Sequence, residues 1–479
     1  VSMPGRDTLG RASATGDTEY GLVEVNGGPG VRLLAAVRAG DVERVRDLLG
    51  EGADPDAVDE DGLPALCVAV AAHDAPVARA LMEGGATADR VLPDGTTPLW
   101  RAVDAGSHAV FEAVLGPEAS LRLPEASCAA LIALASDWYR TGVTEVLRRR
   151  TGATGPVTTV RVEDDGYDWV DEVSLGGLIV RAGHGAILST LEAACRVPTL
   201  VDELIARAVR QPDEEHVDWS AVRWLLVRRR DDASWSAVVA HRHHPDPVHR
   251  RFVADYLRTR SFCDVDHPQY GKRETEVLAA WSAEETDSGV LAKVLGAFTE
   301  YEHPALEAAG LRHAGHPDPR VRREVPYAFL TNGGPHSPAG REALLALVCD
   351  PDTEVRLRAC WVSGGDETLR PDVTRALLPM TEDTDPAVRR RATEILAASP
   401  DRTPAVADAL TAMLDADDQL VRLEAAWGLA RRDDPRTEEA YERVGPLGPG
   451  FEHDHRAGEL LHFKWRKQDA EAAASATAS

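Results

Sequence analysis

The stretch "HRHHPDPVHRR" (241–251) gathers His241, His243, His244 and His249. Imidazole is the commonest protein ligand for zinc and nickel, so metal chemistry is the first possibility to weigh. "FEHDHRAGELLH" adds His453, His455 and His462. Adjacent His243 and His244 point in different directions in any regular element, and no nearby cysteine completes a fourfold set. Both stretches therefore read as loops without metal. Arginine triplets at 148–150, 228–230 and 389–391 suggest phosphate contacts instead. Acids such as Asp231 and Asp232 flank them, and the formal charge of −26 repels phosphate backbones and anionic membrane surfaces. The triplets read as solvated helix ends, and nucleic acid is not the expected partner. No GxSxG, P-loop, HExxH or dinucleotide fingerprint appears. The sequence nominates no nucleophile, no base, no metal and no cofactor.

One stretch invites recognition chemistry. "VEDDGYDWVDE" (162–172) packs Glu163, Asp164, Asp165, Asp168, Asp171 and Glu172 around Tyr167 and Trp169. The preceding "PVTTVRV" alternates with β-branched residues, so a protruding hairpin with its turn at Asp165-Gly166 is expected. Exposed aromatics rimmed by charge are what interface hot spots are made of. Tyr167 and Trp169, with Asp165, Asp168 and Asp171, form the candidate partner-binding set. The bland alternative is an acidic loop whose Trp169 tucks onto neighbouring helices. The glycine is misplaced for a calcium-binding loop.

What positions this stretch is a pair of repeats. The chain is 43% hydrophobic but only 5% aromatic, which suits thin helix-on-helix layers filled by Ala, Leu and Val. Asp61-Gly62 returns as Asp94-Gly95 and Leu66 as Leu99, both 33 residues on. Each unit reads as turn, short helix, tight turn, second helix, glycine stop. The DG pair tolerates positive φ, and Thr97-Pro98 opens a helix. These units resemble ankyrin repeats, over roughly 31–194. "DGTTPLWRAVDAGSHAVFEAVL" is close to the family pattern, with Trp100 where histidine is usual, and Trp100 joins the partner-binding set. "ASDWYRTGVTEVLRRRTGA" (135–153) and "SLGGLIVRAGHGAILSTLEAA" (174–194) look like degenerate fourth and fifth units.

A second series follows. Val-Arg steps stand at 321–322, 355–356, 388–389 and 421–422, at intervals of 34, 33 and 33. Four residues before each Arg is an acid: Asp318, Asp352, Asp385 and Asp418. Each Asp is placed to cap a helix and to pair with the Arg one turn on, or with a neighbouring repeat's Arg. Leu344, Leu377 and Leu410 precede the last three valines by 11 residues, on what reads as the partner helix. These units resemble HEAT repeats of the short kind also found in bilin lyases. "HPDPVHRRFVADYL" (244–257) and "TDSGVLAKVLGAF" (286–298) fit as earlier units, whereas 195–243 has no clear assignment.

The expectation is an all-α chain: an ankyrin-like array over 29–194 with an insertion near 156–173, then HEAT-like repeats over 195–450. A disordered tail is expected at 1–28, and a helix with a second tail at 451–479. The six scattered cysteines form no CxxC pair and read as reduced thiols. No apolar h-region opens the given sequence, and no apolar run approaches the ~18 residues of a membrane span. A cytoplasmic protein is therefore expected. Stacked repeats imply a non-catalytic scaffold or adaptor for a protein or extended peptide of basic character. A HEAT-type enzyme, glycosylase- or lyase-like, and an inhibitor of one partner enzyme are the alternatives. Far-UV circular dichroism should be helix-dominated, with strand confined to turn fingers, chiefly 156–173. A sheet-dominated spectrum would contradict this reading.

Overall fold

The computed structural model describes residues 28–117, 123–263, 268–330, 336–448, 451, 454–460, 462–463 and 465. The two expected tails lie largely outside these residues, as does His453. The chain forms two compact units, Val1–Thr199 with Glu215–Ala221, and Leu200–Glu214 with Val222–Ser479. Both are built of stacked helical pairs, an all-α solenoid architecture carrying one small sheet. Among the described residues no helix is long and apolar enough to cross a membrane.

In the first unit the pairs are Pro29–Ala39 with Val42–Gly50, Ala65–Ala71 with Ala75–Glu83, Pro98–Ala105 with His108–Leu115, and Glu125–Thr141 with Val143–Thr151. The repeated DG turns need left-handed backbone, and Gly62 and Gly95 supply it at φ 76° and 81°. Asp59 braces the first of these turns by accepting the Asp61 and Leu63 amides. Thr97 caps its helix by accepting the Trp100 amide at 3.0 Å. Leu33, Leu66, Leu99, Val110 and Ile187 share one buried core.

The fifth unit departs from expectation. Residues 174–183 do not form a helix. Strands β1 (Thr158–Glu163), β2 (Trp169–Leu175) and β3 (Leu178–Arg181) make an antiparallel sheet in that order. Gly176 and Gly177 take φ 59° and 84° between β2 and β3, a tight turn that a helix cannot contain. Val173, Leu175 and Val180 gain burial against Trp138 and Leu147, which outweighs the helical resemblance. Only the second helix of the unit forms, His184–Ala194. The cysteine reading is also corrected. Cys128 and Cys195 are joined as a disulfide, with Cα atoms 6.0 Å apart. They lie 67 residues apart, on one packed pair of helices, so linear spacing carried no signal.

The second unit stacks pairs whose second helices include Pro247–Cys263, Ser288–Phe298, Pro319–Glu324, Thr353–Ser363, Pro386–Ala398 and Gln419–Arg431. The unassigned 195–243 region is helical at Val201–Val209, Val217–Arg228 and Asp232–Ala240. Leu344, Leu377 and Leu410 are fully buried, as their spacing implied.

Each repeated Asp caps its helix as expected. Asp318 accepts the Arg320 amide, Asp352 that of Val355, Asp385 that of Ala387 and Asp418 that of Leu420. The repeated Arg does not pair with the Asp one turn before it. It reaches past the cap to the turn between the helices. Arg322 Nη1 donates to the carbonyls of His316 and Pro317, at 2.7 and 3.0 Å. Arg356 does the same to Asp350 and Pro351, Arg389 to Asp383 and Thr384, and Arg422 to Ala416 and Asp417. Arg250 repeats the contact on His244 and Pro245, four residues after its own Asp246. Those carbonyls precede the helix and have no partner within it, so a guanidinium satisfies them. The expected pairing between neighbouring repeats is present too, in Arg322 with Asp350 and Arg323 with Asp352.

Two outcomes follow. Arg389→Ala should lower the melting temperature, at a cost of roughly 1–3 kcal/mol for a charged hydrogen-bonding group. An unchanged melting curve would show that the turn holds without it. Reducing the disulfide, or replacing Cys195 by Ser, should destabilise the first unit by about 2–4 kcal/mol. Equal stability with and without reductant would contradict that.

Candidate functional site

The hairpin is built on six cross-strand pairs, the last three before the turn being Arg161 with Asp171, Val162 with Val170, and Glu163 with Trp169. Its turn is closed by the Asp164 amide donating to the Asp168 carbonyl at 2.8 Å. Asp165 Oδ1 accepts the amides of Tyr167 and Asp168, also at 2.8 Å, which shapes the turn from inside. The Asp165-Gly166 turn is thus where the sequence placed it.

The acids have separate roles. Asp164 is buried and accepts from Ser107 Oγ at 2.6 Å and the Ala109 amide at 2.8 Å. It binds Arg181 at 3.0 Å as well, so it ties β1 and β3 to the start of helix His108–Leu115. Asp168 accepts from the Ser220 hydroxyl. Glu172 lies 3.6 Å from Arg181. Asp171 is half-buried, and Glu163 and Asp165 are exposed. The strand end seats on Gly106, whose carbonyl accepts the Gly183 amide at 3.0 Å. A Cβ on Gly106 would stand 1.8 Å from the Arg181 carbonyl oxygen, and its φ is 77°. Only glycine fits there.

The two hairpin aromatics part company. Tyr167 is 88% exposed at the turn. Trp169 is half-buried, with the Arg161 guanidinium 5.2 Å from its ring. Its amide donates to the Glu215 carbonyl at 2.8 Å, and Arg161 pairs with the Glu215 side chain at 3.2 Å. Trp100 lies elsewhere, on helix Pro98–Ala105, packed partly buried against the N-terminal core. The structure does not bring it to the hairpin turn.

Sequence reasoning missed a buried stack beside the sheet. His184 lies flat against Trp138, ring centroids 4.8 Å apart. Asp104 accepts from Trp138 Nε1 at 2.8 Å and from both Arg150 Nη atoms at 2.6 Å. Arg150, read as part of a solvated triplet, lies over the Trp138 ring, its guanidinium 4.6 Å from the centroid. Three separate repeats supply these residues, so no local motif announces them. Burial pushes His184 down to about 4, and burial with the nearby Arg181 does the same to His73. In the second unit, His241, His244 and His249 form a ring stack, 244 and 249 being 3.7 Å apart. His241 also meets Asp202 at 3.0 Å. Among the described residues no group of three His, Cys, Asp or Glu side chains could hold a metal ion.

Residues 33–123 match the family model for ankyrin repeats, in three copies, and residues 341–437 match that for HEAT repeats. The chain carries ankyrin repeats followed by HEAT repeats. No curated protein matches it. Among solved structures it is similar to YibA of Escherichia coli, with 16% identity and a TM-score of 0.40. That match covers 54% of this chain and 97% of the other, and no functional statement follows from it.

His184, which is buried, and His73, which is half-buried, set a pH dependence. They stay neutral in the fold, whereas the unfolded chain takes up protons near pH 6.5. Their contribution is therefore intact above that pH and is lost progressively as the pH falls toward 4, by up to ~1.4 kcal/mol per unit for each group. His184→Phe keeps the stack on Trp138 and removes one titration. Melting temperatures between pH 7 and 5 should fall less steeply for this variant than for the parent, and identical slopes would exclude the histidine as a source.

Proposed function

We propose that the chain is a non-catalytic scaffold or adaptor that binds a partner protein or an extended peptide, with the β1–β2 hairpin turn as its contact point in the first unit. The observation that carries this reading is Tyr167, a large aromatic side chain 88% exposed on a turn that is fixed from behind. Asp165 shapes that turn, and Asp168 and Trp169 tie it to Ser220 and Glu215. A rigid, amphipathic ring contributes contact area without a large ordering cost on binding, which is how hot spots arise. Exposed Glu163 and Asp165 beside it favour a partner of basic character and would mainly accelerate encounter. In this reading Tyr167 makes the contact, Asp165 is its charged neighbour, and Trp169, Asp168 and Asp171 hold the surface in place. The net charge of −26 also favours a protein-directed role over binding to nucleic acid.

A photo-reactive phenylalanine analogue at position 167, in the native cell, should yield one dominant protein adduct. The same analogue at Ile179, exposed on the same sheet, should not. With the partner in hand, Tyr167→Ala should cost about 2 kcal/mol of binding with no change in melting temperature. No adduct at 167, or equal labelling at both positions, would place the contact elsewhere.

A further inference from the structure

The second unit contains a cleft of about 370 Å³ lined by more cations than acids. Six cations line it: Arg251 and Arg258 from helix Pro247–Cys263, Lys293 from Ser288–Phe298, Arg320 and Arg323 from Pro319–Glu324, and Arg358 from Thr353–Ser363. The acids lining it are Glu214, Asp255 and Glu324. All six are ion-paired, Arg251 and Lys293 with Glu214, Arg258 with Glu300, Arg320 with Asp318, Arg323 with Asp352 and Arg358 with Glu324 and Glu354, but at four of them the cation is clearly the more exposed partner. The side chains of Arg320, Lys293, Arg258 and Arg323 are 62%, 45%, 40% and 37% exposed. None of their carboxylate partners, Asp318, Glu214, Glu300 and Asp352, exceeds 27%. At these four the carboxylate is the less exposed partner and the cation faces solvent, whereas Arg358, 26% exposed, pairs with the more exposed Glu354 at 44%.

We infer that this cleft binds an acidic peptide in an extended, three-residues-per-turn conformation, with carboxylates at about every third position. The cations rise one helix at a time through four successive second helices, and packed helices stand ~8–10 Å apart. A polyproline-type strand advances ~9 Å in each three-residue turn, so acids three apart meet successive helices. Guanidinium groups already held by partly covered carboxylates present their remaining donors with less further ordering, and they match carboxylate geometry. Nucleic acid is made an outcome of the test, because the pairing of the cations and the acidity of the chain weigh against any polyanion alike. This site is in the other unit from Tyr167 and does not depend on the hairpin.

The test is fluorescence anisotropy on the full chain with a labelled (Glu-Pro-Pro)4 peptide at low salt. Its comparators are a (Lys-Pro-Pro)4 peptide, an isomer with its four glutamates contiguous, and a twelve-residue oligothymidylate. The glutamate repeat should bind saturably, weaken as salt rises and outbind all three comparators. Lys293→Glu and Arg320→Glu should each weaken it at least tenfold, whereas Arg375→Glu, an exposed charge outside the cleft, should change it less than twofold. Where a reversal shifts the melting curve, Gln at the same position replaces it. Absence of saturable binding, equal binding of the contiguous isomer, equal sensitivity to Arg375→Glu, or tighter binding of the oligothymidylate would each overturn the inference.

Discussion

A guanidinium folded back onto two turn carbonyls is the contact on which the second unit depends. It occurs at Arg250, Arg322, Arg356, Arg389 and Arg422, each four residues after a capping aspartate. The aspartate satisfies amides at the helix start, and the arginine satisfies carbonyls just before it. Together they fix the angle at which the second helix leaves the turn. That angle matters because the layers are thin. Leu344, Leu377 and Leu410 are fully buried against small neighbours, and few large rings are available to fill a gap if a helix tilts. A single pair cannot bury its apolar face, so each fixed turn also sets the surface on which the next repeat stacks.

The same principle explains where the sequence was legible. Val-Arg steps at intervals of 33 or 34 mark a recurring local structure, and so do the DG turns of the first unit. Caps, turns and the buried face of each helix follow from short-range rules that repeat in register. Legibility ended where partners came from distant repeats. Cys128 and Cys195, or Asp104, Trp138, Arg150 and His184, meet only once the array is stacked. It also ended at 174–183, where Gly176-Gly177 and the burial of Val173 and Val180 favour strand over a helix that the family pattern suggested. The arginine's true acceptors were missed for a smaller reason: an Asp one turn away is the obvious partner by charge, yet the guanidinium reaches past it to carbonyls that no helix amide satisfies.

The acidic hairpin shows how composition can hide a division of labour. Its location and its Asp165-Gly166 turn were readable, because alternation followed by DG is a local signal. The separate fates of its acids were not. Asp164 is buried under the start of helix His108–Leu115, Asp168 meets Ser220, and Asp165 shapes the turn. What the anchored residues leave at the surface is chiefly Tyr167, with Glu163 and Asp165 beside it. At four ion pairs of the second unit's cleft the arrangement inverts, the cation being the more exposed partner. Local charge, more than the total of −26, decides what each surface can attract, because charges farther apart than ~8 Å are largely screened at physiological salt.

The central claim is that the repeated aspartates and arginines build the array while the hairpin turn meets the partner. Hydrogen exchange measured by mass spectrometry, on the full chain with and without its co-purified native partner, addresses this directly. The account predicts partner-dependent slowing at 163–169, with unchanged exchange across the turns at 316–322, 350–356, 383–389 and 416–422. Slowing confined to those four turns, with the hairpin unaffected, would mean that the ladder is the recognition surface and would contradict the account.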